Sequence, residues 1–237
     1  MGRVTRALVT LALVGCLAAP LAAQRPNTLT EAEKAAGWIL LFDGVTTAGW
    51  HGYGKGEMPG GWQAVDGALT RVGPAGDVVT DQRYRDFELR LEWNVEAGGN
   101  SGIFYRGVEA KDPRRNPLFQ SAPEMQVLDD EGHADGKSPL TSAGSNYGLH
   151  PAPRGVVRPA GQWNLARIVV KGDRVEHWLN DTRVVAYQLG DADWKARVEN
   201  SKFAKWPEYG QAAEGVIGLQ DHGDRVAYRN IKIRRLP

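Results

Sequence analysis

The chain has 237 residues, and its 29 basic side chains nearly balance its 28 acidic ones. Such a neutral surface gives no reason to expect a nucleic acid or an anionic membrane as partner. The length is enough for one large domain with a substantial core, and 29 glycines and 13 prolines indicate many turns.

Residues 1–23 are typical of an export signal, with early arginines, a short apolar run and a small-residue cleavage site. The apolar run is shorter than the ~18 residues that a membrane span needs. Residues 13–16 also resemble a lipobox, which would anchor the protein through a lipid on Cys16. Cleavage before Gln24 fits the usual processing pattern better, and it predicts a periplasmic or extracellular protein with one domain over residues 24–237.

The remaining chain predicts many short strands and two small helices. Thr30 and Glu33 have the spacing of a capping box, and Asp191 is placed to cap a second helix over 191–205. Alternating runs separated by Gly, Pro and Asn-Asp turns predict strands through most of 62–95, 164–188 and 215–235. This pattern predicts an all-β fold, an antiparallel sandwich or jelly roll.

The central stretch 87–130 contains three extended runs. In the third, Glu124 and Gln126 share one face, while Met125 and Val127 share the other. The polar faces of the three runs carry carboxylates, a glutamine and arginines: Glu88, Arg90, Glu92, Arg106, Glu124 and Gln126. We therefore predict that the three runs together form the floor of a binding site.

Several well-known chemistries have no motif in this sequence. It lacks the phosphate-binding GxxxxGK[ST] and GxGxxG patterns, the zinc-binding HExxH, the nucleophile elbow GxSxG and any cysteine cluster. Nucleotide chemistry, classical zinc proteolysis and serine hydrolysis are therefore disfavoured.

Two groups of acidic and basic residues remain as candidates. Glu124 with Asp129 offers carboxylates that could act as base, nucleophile or ligand of a hard cation, the alternative being a surface glutamate. Asp221 and His222 follow a buried strand and suit a positioned base or metal ligand. The alternative for Asp221 is a turn in which it caps the backbone.

Two further features could shape a pocket. Residues 129–162 form a long connection in which Tyr147 and several prolines favour an ordered wall. In the run 176–180, either His177 or Trp178 faces outward and could contact a sugar, although burial of the tryptophan in the core is the alternative.

Longer motifs resemble a known family. GGNSGIFYR, PEMQVLDD, KGDRVEHWLN and LQDHGDRVAYRNIKI are similar to the 3-keto-disaccharide hydrolases, and the resemblance covers about residues 28–237. It implies a concanavalin-like jelly roll that acts on 3-keto-glucosides, first as a 1,2-lyase and then as a hydratase of the resulting 3-keto-2-hydroxyglucal.

This chemistry needs a base, an electrophile for an enolate oxygen and an acid for the leaving oxygen. We assign His222 as the base. Arg106, or a calcium, magnesium or manganese ion held by Glu124 and Asp129, is assigned to the enolate oxygen, and Glu124 or Tyr147 to the leaving oxygen. The residues predicted to contact the saccharide are Glu92, Asn100, Gln126, Tyr147, His177, Gln220 and Asp221.

Two other functions remain open from the sequence. A non-catalytic carbohydrate-binding module would need outward aromatic platforms more than titratable groups with shifted pKa values. A conventional two-carboxylate glycosidase would need Glu92 and Glu124 roughly 5–10 Å apart across a groove.

Overall fold

The computed structural model describes residues 1–2, 25–110, 112 and 114–237. Apart from residues 1 and 2, the predicted export signal with Cys16 lies outside these described residues. No helix in the described part of the chain is long and apolar enough to cross a membrane.

The described chain folds into short strands that pair only in antiparallel fashion. In chain order they are β1 (Ile39–Leu40), β2 (Trp50–Gly52), β3 (Trp62–Val65), β4 (Ala68–Arg71), β5 (Val78–Thr80), β6 (Phe87–Val95), β7 (Asn100–Gly107), β8 (Glu124–Leu128), β9 (Asn164–Lys171), β10 (Arg174–Leu179), β11 (Thr182–Gln188), β12 (Val216–Leu219) and β13 (Val226–Arg235).

These strands form two sheets. Sheet A has the order β11-β10-β9-β6-β13-β4-β3, with β1 also paired to β13, and sheet B has the order β2-β5-β12-β7-β8. The sheets bury one large apolar core to which both contribute, for example Leu89 and Trp93 of β6 and Ile103 of β7. The predicted all-β, concanavalin-like jelly roll with two short helices is confirmed.

Two of the turns predicted between strands from their Asp-Gly and Asn-Asp sequences are present. Asp66 and Gly67, between β3 and β4, both have positive φ angles, as do Asn180 and Asp181 between β10 and β11. Two successive residues with positive φ make the two-residue hairpin turn that matches the twist of its strands, and Asn, Asp and Gly adopt it at low cost.

The two helices are α1 (Glu31–Ala35) and α2 (Ala192–Glu199). The predicted capping box at Thr30 and Glu33 is present, and Asp191 caps α2 by accepting a hydrogen bond from the Trp194 N–H at 2.7 Å. The continuous helix predicted to residue 205 is wrong. The Ser201 hydroxyl accepts from the Phe203 N–H at 3.1 Å and starts a separate 3₁₀ turn, Lys202–Lys205.

The prediction that 87–130 forms one site floor is also wrong. β6 belongs to sheet A, whereas β7 and β8 belong to sheet B. The turn after β6 carries the chain from one sheet to the other, so the polar face of β6 looks away from the polar faces of β7 and β8. The fold therefore has two separate polar outer faces.

Candidate active site

A row of residues crosses the outer face of sheet B. Gly102 of β7 is paired with Gln126 of β8, and the Gln220 N–H donates to the Gly102 carbonyl at 3.0 Å. The register of β12 and β5, continued by one residue, places Asp77 beside Gln220. This row, from Asp77 to Gln126, is the site floor.

A pocket of about 160 Å³ stands on this floor. Strand residues supply its base, and the chain connections that follow β7, β8, β11 and β12 supply the other lining residues. Its lining residues are Asn100, Phe119, Glu124, Gln126, Tyr147, Lys202, Gln220 and His222. The structure thus brings together six of the residues that the sequence predicted for the site.

Glu124 is the titratable group at the base of this pocket. It is only 6% exposed, and no residue in the described part of the chain donates a hydrogen bond to its carboxyl group. Burial raises the pKa of Glu124 to about 8; Lys202 opposes the shift, while Asp77 and Asp135 add to it. At neutral pH the carboxyl group is therefore mostly protonated and is able to donate a proton.

The backbone beneath Glu124 is shaped for it. The side chain lies across Gly102 on the neighbouring strand, where an added Cβ would overlap the Glu124 carboxyl group. Only glycine leaves room for this side chain, which explains one of the glycines in the GGNSGIFYR segment.

The amides around Glu124 are buried but unpaired. Both amide atoms of Gln126, Oδ1 of Asn100 and Oε1 of Gln220 have no hydrogen-bond partner among the described residues. Buried polar atoms are almost always paired in folded proteins, so such a group within one pocket indicates a ligand with many hydroxyl and carbonyl groups.

His222 lies at the exposed rim of the pocket. Its ring centroid is 6.3 Å from that of His133, in an edge-to-face arrangement. His133 in turn lies against Asn100, with His133 Nε2 3.5 Å from Asn100 Nδ2. The rim of the pocket therefore carries two imidazoles next to the unpaired amides.

Asp221, the neighbour of His222, has a structural role instead. Its carboxylate accepts hydrogen bonds from the Ala75 and Gly76 N–H groups at 2.8 Å each and from Arg71 Nε at 2.6 Å. Burial alone would raise the pKa of Asp221, but these donors outweigh it and the pKa is lowered. Asp221 thus holds the connection before β5 in place by accepting backbone hydrogen bonds, which agrees with the alternative interpretation of Asp221 as a residue that caps the backbone.

Arg106 and Asp129 do not reach the pocket. The Arg106 guanidinium donates to the carbonyls of Arg85 and Gly172 and lies 3.4 Å from Asp86. It therefore ties strand ends together and is not available to an enolate, contrary to the sequence assignment. Its positive φ of 51° marks the irregular end of β7.

The Asp129 carboxylate is likewise occupied, by the N–H groups of Gly98 at 2.7 Å and Glu131 at 3.3 Å. A hard cation shared by Glu124 and Asp129 does not fit these residues, since Asp129 faces backbone donors and Glu124 is mostly neutral. The described residues contain no group of three His, Cys, Asp or Glu side chains arranged to hold a metal ion.

Glu92 and His177 are also outside the pocket. Glu92 lies on the outer face of sheet A, where Arg229 and Asn230 bind it at 2.6 and 2.9 Å. It therefore cannot face Glu124 across a groove, and the two-carboxylate arrangement is absent from the described chain. His177 is fully buried between the sheets, 2.8 Å from the Tyr105 hydroxyl, and burial lowers its pKa to about 4.

Sequence reasoning missed three residues of this region. Phe119 and Lys202 enter the pocket from connections in which no motif singled them out. Asp77 was detectable, because the alternation that puts Val78 in the core puts Asp77 and Val79 on the outer face. Burial raises the pKa of Asp77 to about 6.

A jelly-roll sandwich with a polar, hydroxyl-accepting pocket around a neutral carboxyl group defines a carbohydrate-active enzyme. A family profile for the 3-keto-alpha-glucoside-1,2-lyase-like domain matches residues 37–234, and the chain belongs to this family.

Similar proteins agree with this assignment. The chain is 38% identical over 244 aligned residues, covering 91% of it, to a Bacteroides thetaiotaomicron protein named 3-keto-disaccharide hydrolase, of which 84% is covered. A Parabacteroides distasonis crystal structure, provisionally described as a glycosyl hydrolase, has a TM-score of 0.82 and 34% identity over 90% of this chain and 100% of that one. A second structure from the same organism has a TM-score of 0.65 and 26% identity over 84% of this chain and 99% of that one. The chain is thus a hydrolytic enzyme.

Proposed function

We propose that the protein cleaves 3-keto-glucosides and 3-keto-disaccharides by elimination followed by hydration. The family and the name of the Bacteroides relative support this substrate class. The observation that carries the proposal is Glu124, a carboxyl group with a pKa of about 8 among unpaired amides. From residues 1–23 alone, we also propose that the enzyme is exported as one domain of residues 24–237.

The reaction uses the acidity that a ketone at carbon 3 gives to the proton on carbon 2. A base removes that proton, and the electron pair of the C–H bond forms an enolate with the carbon 3 oxygen. Collapse of the enolate forms the double bond between carbons 1 and 2 and expels the carbon 1 oxygen, which takes a proton from an acid. Water then adds its hydroxyl to carbon 1 and a proton to carbon 2, so the net change is hydrolysis.

The pocket offers a group for each proton transfer. His222 at the rim is the base, because its imidazole can accept a proton and lies beside the amides that would hold the sugar. Glu124 is the acid, and once it has given up its proton the carboxylate is the base that activates water for the second step. Tyr147 is a poorer acid, because burial raises its pKa to about 12 and its hydroxyl already donates to Asp135.

The amides of the pocket hold the sugar. Asn100, Gln126 and Gln220 each present at least one unpaired oxygen, and Gln126 also presents its amide nitrogen. Sugar hydroxyls would donate to these oxygens, and a sugar oxygen would accept from Gln126. Binding of this kind fixes the ring so that the carbon 2 proton faces the base.

A binding module without chemistry is less well supported. The outward side of Trp178, the candidate platform on sheet A, is already covered, since Arg167 lies 4.8 Å from its ring. Glu124, by contrast, has the titratable character that an enzyme needs.

The test is to incubate the purified protein with a 3-keto-glucoside and with its unoxidised parent. We expect release of the carbon 1 group only from the ketone, together with a transient enone absorbance from the glucal intermediate. Release from both compounds would indicate a conventional glycosidase. Glycan binding without release from either would indicate a binding module, and release without any enone would contradict the elimination step.

A further inference from the structure

Lys202 is a cation at the pocket that the roles above leave unused. Its Nζ lies 4.4 Å from the centroid of the Tyr147 ring and 5.8 Å from that of Phe119, both of which line the pocket with it. Among the described residues no carboxylate lies within 4.0 Å of this nitrogen, and none accepts a hydrogen bond from it. Aromatic faces thus hold the ammonium group while leaving its three N–H donors available.

The backbone that carries Lys202 is firmly anchored. The next residue, Phe203, is 2% exposed and stacks on Tyr209 with ring centroids 4.1 Å apart. Tyr209 stacks in turn on Trp194 of α2 at 5.7 Å, and the Ser201 hydroxyl caps the turn. The backbone that carries Lys202 is therefore fixed before a ligand arrives, and the Tyr147 ring keeps the exposed side chain beside the pocket, which limits the reorganisation that electrostatic stabilisation requires.

The charge balance of the pocket favours an anionic oxygen next to Lys202. Glu124 is mostly neutral at pH 7, and the neighbouring lining residues Asn100, Gln126 and Gln220 carry no charge. The floor carboxylate Asp77 accepts a hydrogen bond from the Asp221 N–H and makes no ion pair with Lys202. The ammonium group of Lys202 can therefore pair with an anionic oxygen of the substrate. In the proposed reaction, the oxygen on carbon 3 is the atom that becomes negative.

We propose that Lys202 is a catalytic residue whose ammonium group donates a hydrogen bond to the carbon 3 oxygen as the enolate forms. This inference rests on the proposed function and fills the role that Arg106 cannot take. The ammonium group keeps its proton throughout, and no bond forms between Nζ and the sugar. The electron pair that leaves the C–H bond at carbon 2 rests on the carbon 3 oxygen and returns when the carbon 1 oxygen departs.

The experiment compares Lys202→Met and Lys202→Arg with Lys205→Met, a control on the same exposed turn. Two assays are used. The first measures kcat and KM on a 3-keto-glucoside, and the second measures the rate at which the carbon 2 proton of 3-keto-glucose exchanges in deuterated water. For Lys202→Met we expect both kcat and exchange to fall by about 10²–10³-fold, the usual effect of losing one oxyanion donor, with KM changed much less. Lys202→Arg should recover part of the rate, and Lys205→Met should equal wild type.

The pH profile of kcat gives a second test, because a purely structural role of Lys202 would not shift it. Lys202 lowers the pKa of Glu124, so Lys202→Met should move the alkaline limb of the kcat profile to higher pH. Near-normal kcat and exchange in Lys202→Met, with wild type active, would overturn this inference alone. Borohydride trapping of a sugar adduct on Lys202 would overturn it in favour of an imine, and a wild-type enzyme inactive on the ketone would overturn both this role and the proposed function.

Discussion

The two outer faces of the sandwich use similar side chains for opposite purposes. On sheet A, Glu88 is buried and its carboxylate accepts hydrogen bonds from Arg90, Arg167 and Arg234. On sheet B, Glu124 is also buried but has no such partner in the described chain.

The difference shows in the acidity of the two carboxyl groups. Burial alone would raise both pKa values, but three guanidinium groups outweigh it at Glu88 and lower its pKa, whereas the pKa of Glu124 rises to about 8. A fully paired polar face stabilises the fold, and an unpaired one keeps its interactions for a ligand. Pairing, more than residue type, separates structure from site in this molecule.

The largest effect should come from Glu124→Gln. Glutamine nearly matches the protonated carboxyl group in shape, so the fold should be kept, but it cannot transfer a proton. We expect kcat/KM on a 3-keto-glucoside to fall by about 10²–10⁴-fold. The matched control is Glu92→Gln, which removes a carboxylate from the outer face of sheet A and should leave turnover within about twofold. Equal losses in both variants would contradict the separation of the two faces.

Gly102→Ala should damage the site while sparing the sheet. The new Cβ would overlap the flexible Glu124 carboxyl group, which must then swing away from the pocket. Because misplacing a catalytic group typically costs about 10²-fold, we expect a loss in kcat of that order with little change in Tm.

The control for this variant is Gly218→Ala on the same face of sheet B. Its Cβ would meet Leu118 and Phe104 in the apolar cluster instead of the site. It should reduce the free energy of unfolding by about 1–3 kcal/mol while leaving turnover per folded molecule unchanged. The reverse assignment of stability and activity losses would show that Glu124 does not lie where the pocket needs it.

The pH dependence of stability should reveal the unpaired carboxyl group. Between pH 4.5 and 8 the folded protein holds a proton on Glu124 that the unfolded chain has lost, since the ordinary value is 4.5 and burial raises it to about 8. Stability should therefore fall as pH rises through this window relative to Glu124→Gln, by a few kcal/mol at most, and stay level above it. Urea unfolding of both proteins at pH 4, 6 and 8 measures this, and parallel stabilities at all three values would contradict the raised pKa.

The smallest expected effect is that of Asp77→Asn. Asp77 is a like charge that helps raise the pKa of Glu124, so its removal should lower that pKa and move the alkaline limb of kcat/KM to lower pH. The asparagine oxygen still accepts the hydrogen bond from the Asp221 N–H. Asp81→Asn, whose carboxylate pairs with His51 away from the pocket, should leave the profile unchanged. A shift of the alkaline limb in Asp81→Asn but not in Asp77→Asn would show that Asp77 does not influence the pKa of Glu124.

The fold was predictable because its signals are local. The alternation of Phe87, Leu89, Leu91 and Trp93 and the Asp-Gly and Asn-Asp turns act over a few residues, and the structure follows them. The same alternation also grouped Glu124 with Gln126 correctly.

The rest depended on contacts that are distant in sequence. Alternation shows that Glu92 faces outward, but not that β6 joins β9 and β13 while the next strand joins the other sheet. Arg106 is the type of residue that can stabilise an enolate. It does not take that role because its guanidinium group donates hydrogen bonds to the carbonyls of Arg85 and Gly172. Lys202 lies at the pocket because its ammonium group contacts the rings of Phe119 and Tyr147, which come from other connections. No short sequence motif could predict such a contact.

The construction of the pocket has a consequence for how the family diversifies. The floor belongs to paired strands, where a change of backbone would disturb sheet B, while Phe119 belongs to a connection, the kind of segment that tolerates insertion and replacement. Grafting the connection after β7 from one homologue into another should exchange preference for the departing group while the residues proposed for the chemistry stay in place. Changes in the connections that line the pocket are thus a route to new substrates in this scaffold, for evolution and for protein engineering alike.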